Sequence, residues 1–276
     1  MGAQGLPRLR YECDAGQLPE RLRAFLLRLQ PDAATAKYLT LAEKRRLSPG
    51  GMMLRRVLGY YLSDYDVDGL LNTYPMHLAS TEQWRQMLPV EPGGRLLDVG
   101  AGSGDVTAGL AELFGETDVT ETARVLGWRL RRRGFTVHHV DVSTTQAPGG
   151  PYDVVTVLNV LDRCIRPRAL LAGAVHALRP GGYLAIALPL PYRPVAYDGP
   201  YLVEPIDPLD CHGETWEESL VSLVVQTLEP AGLSIQSLAR VPYLAGADAR
   251  QELNIYDDAV IVCRVPHKRS EVSPLR

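Results

Sequence analysis

Asp98-Val99-Gly100-Ala101-Gly102-Ser103-Gly104 sets a carboxylate two residues ahead of a G-x-G-x-G run, where the apolar stretch RLLDVG (95–100) gives way to the helically spaced DVTAGLAELF (105–114). Glycines in such a loop adopt φ > 0 and let backbone approach a ligand closely. A loop between a strand and a helix N-terminus is also where open parallel sheets bind ligands. Dinucleotide sites and methyl-donor sites share this run, and a tight structural turn uses it too. Two residues favour a methyl donor. Asp98 can order the loop or meet the ammonium group of a sulfonium-bearing amino acid. The position of the third dinucleotide glycine is Asp105, whose carboxylate at a helix start would repel a pyrophosphate.

Further carboxylates follow at the expected strand ends. Glu121, about twenty residues on, stands where an acidic side chain accepts both ribose hydroxyls, although an isolated glutamate is otherwise a solvated charge. Asp141 is placed to accept the adenine exocyclic amine, or else to cap a helix or a surface loop. Asn159 lies where the donor methyl should point, and Asp162, three residues later, returns to the same face of a turn unless it merely caps or pairs with Arg163. His138 and His139 are adjacent, so on a strand they face opposite sides and make a poor metal pair. Cys13, Cys164, Cys211 and Cys263 form no C-x-x-C pair; reduced thiols and no metal are expected.

The elements that must position these residues alternate. After the turn Glu91-Pro92-Gly93-Gly94 come RLLDVG, a helix at 105–114, TDVTE (117–121), a helix at 122–134, FTVHHVDV (135–142), YDVVTVLNV (152–160), a helix at 167–182 and YLAIALPL (183–190). That order predicts an α/β protein with a doubly wound parallel sheet, its strands buried on both faces. One more helix (216–232) precedes LSIQSLARVPYL (233–244) and NIYDDAVIVCRV (254–265), which read as an antiparallel hairpin because no crossover joins them. Ala187 to Pro194 is a proline-stiffened segment suited to rim the cleft or bind an extended peptide. Residues 18–62 carry three- and four-residue apolar spacings, predicting about three amphipathic helices. The expected organisation is a helical extension or lid over 1–90, a core over 91–267 and a flexible tail over 268–276.

Composition narrows the function classes. The chain has 276 residues, 46% hydrophobic and 22% charged, with a net charge of -3. That is ordinary globular usage without the cationic field that draws proteins to nucleic acid. No run of about 18 apolar residues predicts a membrane span, no signal peptide is expected, and Leu6 breaks the myristoylation pattern. A monomer is expected; the compartment is not given by the sequence.

The blocks RLLDVGAGSGDVT, VTET, YDVVTVLNVLDRC, ALPLPYRP, WEESLVS, LARVPYL and YDDAVIV resemble successive blocks of the methyltransferase-like protein 9 family, also called DREV. So do RYEC near Tyr11 and MHLASTEQWRQML (76–88) in the N-terminal third. The family members are protein-histidine N-pros-methyltransferases. The resemblance implies a seven-stranded Rossmann-like class I methyltransferase sheet with S-adenosylmethionine as donor. It also implies methylation of the pros nitrogen of histidine in His-x-His sequences of proteins or peptides, x being small. Carried onto this chain, the donor site comprises Asp98, Gly100, Gly102, Glu121 at the ribose, Asp141, Asn159 at the donor's amino acid end, and Tyr243, which lines both donor and acceptor. Asp162 would engage the target imidazole, with Asn159 and Tyr243 beside it. Where the family carries tyrosines just before DDAV, this chain reads Gln251-Glu252-Leu253-Asn254-Ile255-Tyr256, so a tyrosine contact to substrate is absent or moved to Tyr256. Pros methylation requires the ring's proton on the tele nitrogen, and a carboxylate accepting that N–H selects the tautomer and stabilises the developing charge. Methylation of a small imidazole compound or of another side chain, a donor-binding scaffold without turnover, and a nicotinamide dehydrogenase are the rival readings.

Overall fold

The computed structural model describes residues 9–44, 49–60, 67, 71, 75–89, 93–198, 201–246 and 253–267. The expected tail and the Met1-to-Leu6 segment lie outside them, as do Glu91, Pro92, Gln251 and Glu252.

Strand β1 is Met76–His77, β2 Arg95–Val99, β3 Glu116–Thr120, β4 Thr136–His138, β5 Tyr152–Leu158 and β6 Leu178–Pro189. After the small hairpin of β7 (Ala196–Asp198) and β8 (Tyr201–Val203) come β9, Ser234–Gly246, and β10, Leu253–Arg264. The main sheet has 8 strands in the order β1-β9-β10-β6-β5-β2-β3-β4. Pairing is parallel from β4 through β6 and antiparallel from β6 through β10 and β9 to β1. This is the expected doubly wound α/β sheet with its antiparallel C-terminal hairpin. Strand order reverses between β2 and β5, which opens a crevice at their carboxyl ends.

Alternation along the strands divides the core. Leu97, Val99, Val155, Val157, Leu184 and Ile186 face one side, against helix Pro167–Ala177 and helix Trp216–Leu223. Leu96, Val154, Ala185 and Ala187 face the other, against Leu110 of helix Asp105–Ala111 and Trp84 and Met87 of helix Thr81–Met87. Both faces being covered explains why the strands read as unbroken apolar runs.

Three local expectations need correction. The sheet gains an eighth strand, β1, because Met76 and His77 pair with Ala245 and Leu244 on the far edge of β9. Of the helices expected over 18–62, Ala33–Lys44 and Pro49–Leu58 form, whereas the first, after Leu18, shrinks to a single turn, Glu20–Arg23. The chain then runs extended, where Leu27 N–H donates to Leu238 O (2.8 Å) and Leu238 N–H to Phe25 O (2.8 Å), so sheet pairing overrides helical period there. The helix expected to reach 182 stops at Ala177, and Leu178 enters β6, since a residue before Pro180, Arg179, disfavours helical backbone. The helix at Trp216 begins with a full capping box, Thr215 with Glu218, and ends in a π turn over Val224–Leu228.

Candidate active site

The glycine loop follows β2. Gly100, Gly102 and Gly104 hold φ of 71°, 58° and 76°, left-handed values that L side chains rarely adopt. Gly100 also needs its bareness for contact: an added Cβ would lie 2.8 Å from Val160 Cγ2. The loop is thereby pressed against the residue following Asn159.

Asp98 is buried beneath the loop, and its two oxygens each accept from a hydroxyl: Thr107 Oγ1 at 2.6 Å and Thr156 Oγ1 at 2.6 Å. Burial pushes its pKa up to about 6, with the two hydroxyls opposing that rise. Of the two roles expected for Asp98, this geometry performs the ordering one. It clamps β2, β5 and the helix that leaves the loop. Asp105 opens that helix, its carboxylate accepting from Ser103 Oγ (2.8 Å) and pairing with Arg133 (2.5 Å).

Glu121 emerges just past β3, buried, and its carboxylate reaches back to the loop. Oε2 accepts from Gly102 N–H (2.9 Å) and Oε1 from Ala123 N–H (2.8 Å). The loop and the expected ribose carboxylate are therefore one hydrogen-bonded unit. Asp141 is exposed beyond β4 and turns the chain: Oδ1 accepts from Ser143 N–H (2.9 Å), and its backbone carbonyl from Thr144 and Thr145 N–H. His138 bonds Asp118 (3.1 Å) while His139 Nδ1 meets the Glu121 carbonyl (2.9 Å), so the two rings part as strand alternation requires.

A second group gathers where β5 and β6 end, beside the last residues of β9 and the middle of β10. Asn159 has φ of 56°, the sole non-glycine positive value among the described residues. Its N–H donates to Ala187 O (2.8 Å), which fixes this backbone against β6. Its Nδ2 donates to Asp258 Oδ2 (2.6 Å) on β10. Asp258 is fully buried, and burial followed by the neighbouring Asp162 charge raises its pKa well above the carboxylate range. Asp162 pairs through Oδ2 with Arg163 (3.1 Å). Asn159 Oδ1, Asp162 Oδ1 and Asp258 Oδ1 are buried without a hydrogen-bond partner. Three buried oxygens left without a partner are a costly concentration. Their complement is a ligand that brings N–H groups.

Tyr243, on β9, is buried and feels the charges of Arg163, Asp258 and Asp162. Burial raises its pKa, so the phenol stays protonated, and it donates to Met76 Sδ (2.7 Å) of β1. Tyr256 pairs with it across the hairpin, ring centroids 5.8 Å apart, and is exposed on its outer side. Behind the site, Tyr192, whose hydroxyl donates to Leu161 O (3.0 Å), and Val195, whose N–H donates to Asp162 O (2.7 Å), tether the proline-rich segment to the Asp162 loop. Cys164, in that loop, has its thiol pushed up to about 12 by burial, which removes it as a nucleophile.

Asn159, Asp162 and Tyr243 are thus brought together, and Gly100, Gly102 and Glu121 form the adjoining loop unit. Asp141 remains at the outer rim. Sequence reasoning missed Asp258, whose signal was a second aspartate opening an apolar strand run, and the threonines that clamp Asp98. Among the described residues no cluster of His, Cys, Asp or Glu could hold a metal ion, and no helix is long and apolar enough to cross a membrane.

Comparison with known proteins places the whole arrangement. The chain is similar to ubiquinone/menaquinone biosynthesis C-methyltransferase UbiE of Roseobacter denitrificans, 29% identical over 167 residues, covering 54% of this chain and 67% of that enzyme. It is also similar to UbiE of Burkholderia mallei, 29% identical over 133 residues, 45% of this chain and 55% of that enzyme. The chain therefore spans from about half to two thirds of the length of these curated relatives. Among solved structures, the N-methyltransferase NodS from Bradyrhizobium japonicum WM9 in complex with S-adenosyl-L-homocysteine is 17% identical, covering 67% of this chain and 85% of its own at a TM-score of 0.44. The [4+2]-cyclase SpnF is 16% identical, covering 68% and 80% at 0.45. The model of the DREV methyltransferase family matches residues 10–265, essentially the full described length, and the chain belongs to that family.

Proposed function

We propose that this methyltransferase transfers the methyl group of S-adenosylmethionine to the pros nitrogen of histidine in His-x-His segments of proteins. The observation that carries the reading is the trio of partnerless buried oxygens, Asn159 Oδ1, Asp162 Oδ1 and Asp258 Oδ1, beside a left-handed glycine loop. Such a set fits the ammonium of the donor's amino acid end and the N–H of an incoming imidazole, and it repels anions.

The residues present fit the donor. Gly100 and Gly102 hold the left-handed loop that lies against the donor, Glu121 braces that loop at the ribose, and Asn159 stands at the amino acid end. Asp98 supports the loop from below, Tyr243 walls the junction, and Asp141 approaches the adenine side. Bound there, S-adenosylmethionine supplies an electrophilic methyl on a sulfonium.

The chain's own work is on the acceptor. Asp162, with Oδ2 held by Arg163, keeps Oδ1 for the tele N–H of the substrate ring. That contact selects the tautomer whose pros nitrogen carries the lone pair, and it stabilises the ring as positive charge develops on alkylation. The product ring leaves as an imidazolium and loses its tele proton to water. Tyr256, opposite Tyr243 and open to solvent, supplies the aromatic contact that the segment before Asp257 otherwise lacks. Because alignment supplies much of the rate, Arg163 and the Pro191 segment serve by fixing Asp162.

Mass spectrometry of a His-x-His peptide library incubated with enzyme and labelled donor, with free histidine and carnosine in parallel, tests the reading. Label as 1-methylhistidine in the peptides is expected. Label only on the small imidazoles, on another side chain, or as the tele isomer overturns it.

A further inference from the structure

The Asn159 amide has one donating and one accepting end, and only the Nδ2 end can face a carboxylate oxygen. Asp258 Oδ2 receives it at 2.6 Å, while the Asn159 backbone is pinned by its N–H to Ala187 O at 2.8 Å. With both handles fixed, the amide oxygen is turned to the remaining side, where it has no partner. Asp258 is itself 0% exposed, and its other oxygen has none either. A packing role would be better served by an apolar side chain, since a half-satisfied buried carboxylate destabilises the strand that carries it.

We propose that Asp258 is a positioning residue for the donor's amino acid end: it holds Asn159 as a hydrogen-bond acceptor and, with it, presents negative charge to an α-ammonium group. This rests on the methyl-donor reading of the site. The groups acting on Asp258 are its partner Asn159, Asp162 and Arg163 from the loop after β5, Tyr243 on β9, and Asp257 beside it on its own strand but turned to the other face. Burial and Asp162 favour the protonated form of Asp258 before a ligand arrives, and an ammonium favours the ionised one. Donor binding is therefore coupled to loss of a proton from this carboxyl.

Calorimetry on the full chain tests this with two probes, S-adenosylhomocysteine and 5′-methylthioadenosine, which keeps adenine and ribose but lacks the amino acid. In Asp258→Leu, affinity for S-adenosylhomocysteine is expected to fall about tenfold or more, and affinity for 5′-methylthioadenosine to stay within about twofold. Asp258→Asn, which still accepts from Asn159, should recover part of the loss. Wild type should release a proton on binding S-adenosylhomocysteine, read as a heat that varies with buffer ionisation enthalpy, and Asp258→Asn should not. Equal losses for both probes, or none, overturn the assignment, as does identical proton release in wild type and Asp258→Asn; the latter applies even if Asp258→Leu does not fold. Wild type that binds neither probe overturns the donor reading itself.

Discussion

Glu121→Gln separates the two jobs that the structure gives one carboxylate. The wild-type side chain accepts Gly102 N–H at 2.9 Å and Ala123 N–H at 2.8 Å, and its burial makes both bonds count. Glutamine is the same size but can accept only one of these through its oxygen. Its NH2 then meets the other backbone N–H head-on. Losing one hydrogen bond to a charged group costs about 1.5–3 kcal/mol. The cost falls on the glycine loop, so urea unfolding should report a loss of that order. If the carboxylate also accepts the ribose hydroxyls, affinity for S-adenosylhomocysteine should drop about ten- to a hundredfold, because the amide offers one acceptor where two are wanted. Calorimetry at a temperature where the variant is fully folded measures this directly. A variant that is destabilised as stated yet binds S-adenosylhomocysteine with wild-type affinity refutes the ribose role and leaves Glu121 as a loop brace.

Asp162→Asn keeps the shape of the proposed imidazole partner but removes its charge; turnover of a His-x-His peptide should fall by about 10²–10⁴ with donor affinity nearly unchanged. Near-normal turnover at saturating peptide would make the Asp162–Arg163 pair purely structural. Asp98 has a folded pKa of about 6 against an unfolded 3.8, so the folded state binds the extra proton. Stability from this group is full below about pH 4 and lost as pH rises through about 6. The stability gap between wild type and Asp98→Asn should shift by about 3 kcal/mol against wild type between pH 3 and pH 7, and parallel urea curves across that range would contradict the burial argument. Gly100→Ala should lose about 1–2 kcal/mol from its left-handed backbone, plus the cost of the Val160 contact. Adding Val160→Ala should return the contact share only, and full recovery would show that φ at Gly100 is not constrained.

What the sequence made legible was whatever local chemistry encodes. A glycine run between an apolar stretch and a helical period places a loop at a strand's carboxyl end, and Glu121 and Asn159 follow at the ends of their own strands by the same logic. Less legible was anything settled by distant pairing. Leu26 and Leu27 carry helical spacing, yet the edge of β9 offered unpaired backbone groups and took them. Met76 and His77 are too short a stretch to read as a strand, and only the far edge of the hairpin makes them one. Asp258 was visible as a letter but not as a partner, because its contact with Asn159 spans 99 residues of chain and depends on β10 lying beside β6. Asp98 could order a loop or meet a ligand by type alone, and its hold on Thr107 and Thr156, one on a helix and one on a neighbouring strand, is set by packing between elements.

The adjacency of Asp257 and Asp258 joins the site to the rest of the molecule. Successive residues on a strand face opposite sides, so two neighbouring carboxylates at one strand end cannot share a partner. Asp258 turns inward to Asn159. Asp257 turns the other way and grips Arg240, whose Nε lies 2.7 Å from Oδ1 and whose second nitrogen closes a bidentate pair. Arg240 also meets Glu217 at 3.3 Å and lies 5.0 Å from the centroid of the Trp216 ring, while Glu217 accepts Asp14 N–H at 2.8 Å. The N-terminal segment, the capped helix at Trp216 and the hairpin are therefore fastened at the strand position next to the one that orients Asn159. A buried ion pair of this kind contributes little net stability, because desolvation offsets its attraction. Its geometric demand is strict, since a planar guanidinium accepts few registers against a carboxylate. Asp257 thus ties β10 to Arg240 on one face of the sheet, while Asp258 meets Asn159 on the other.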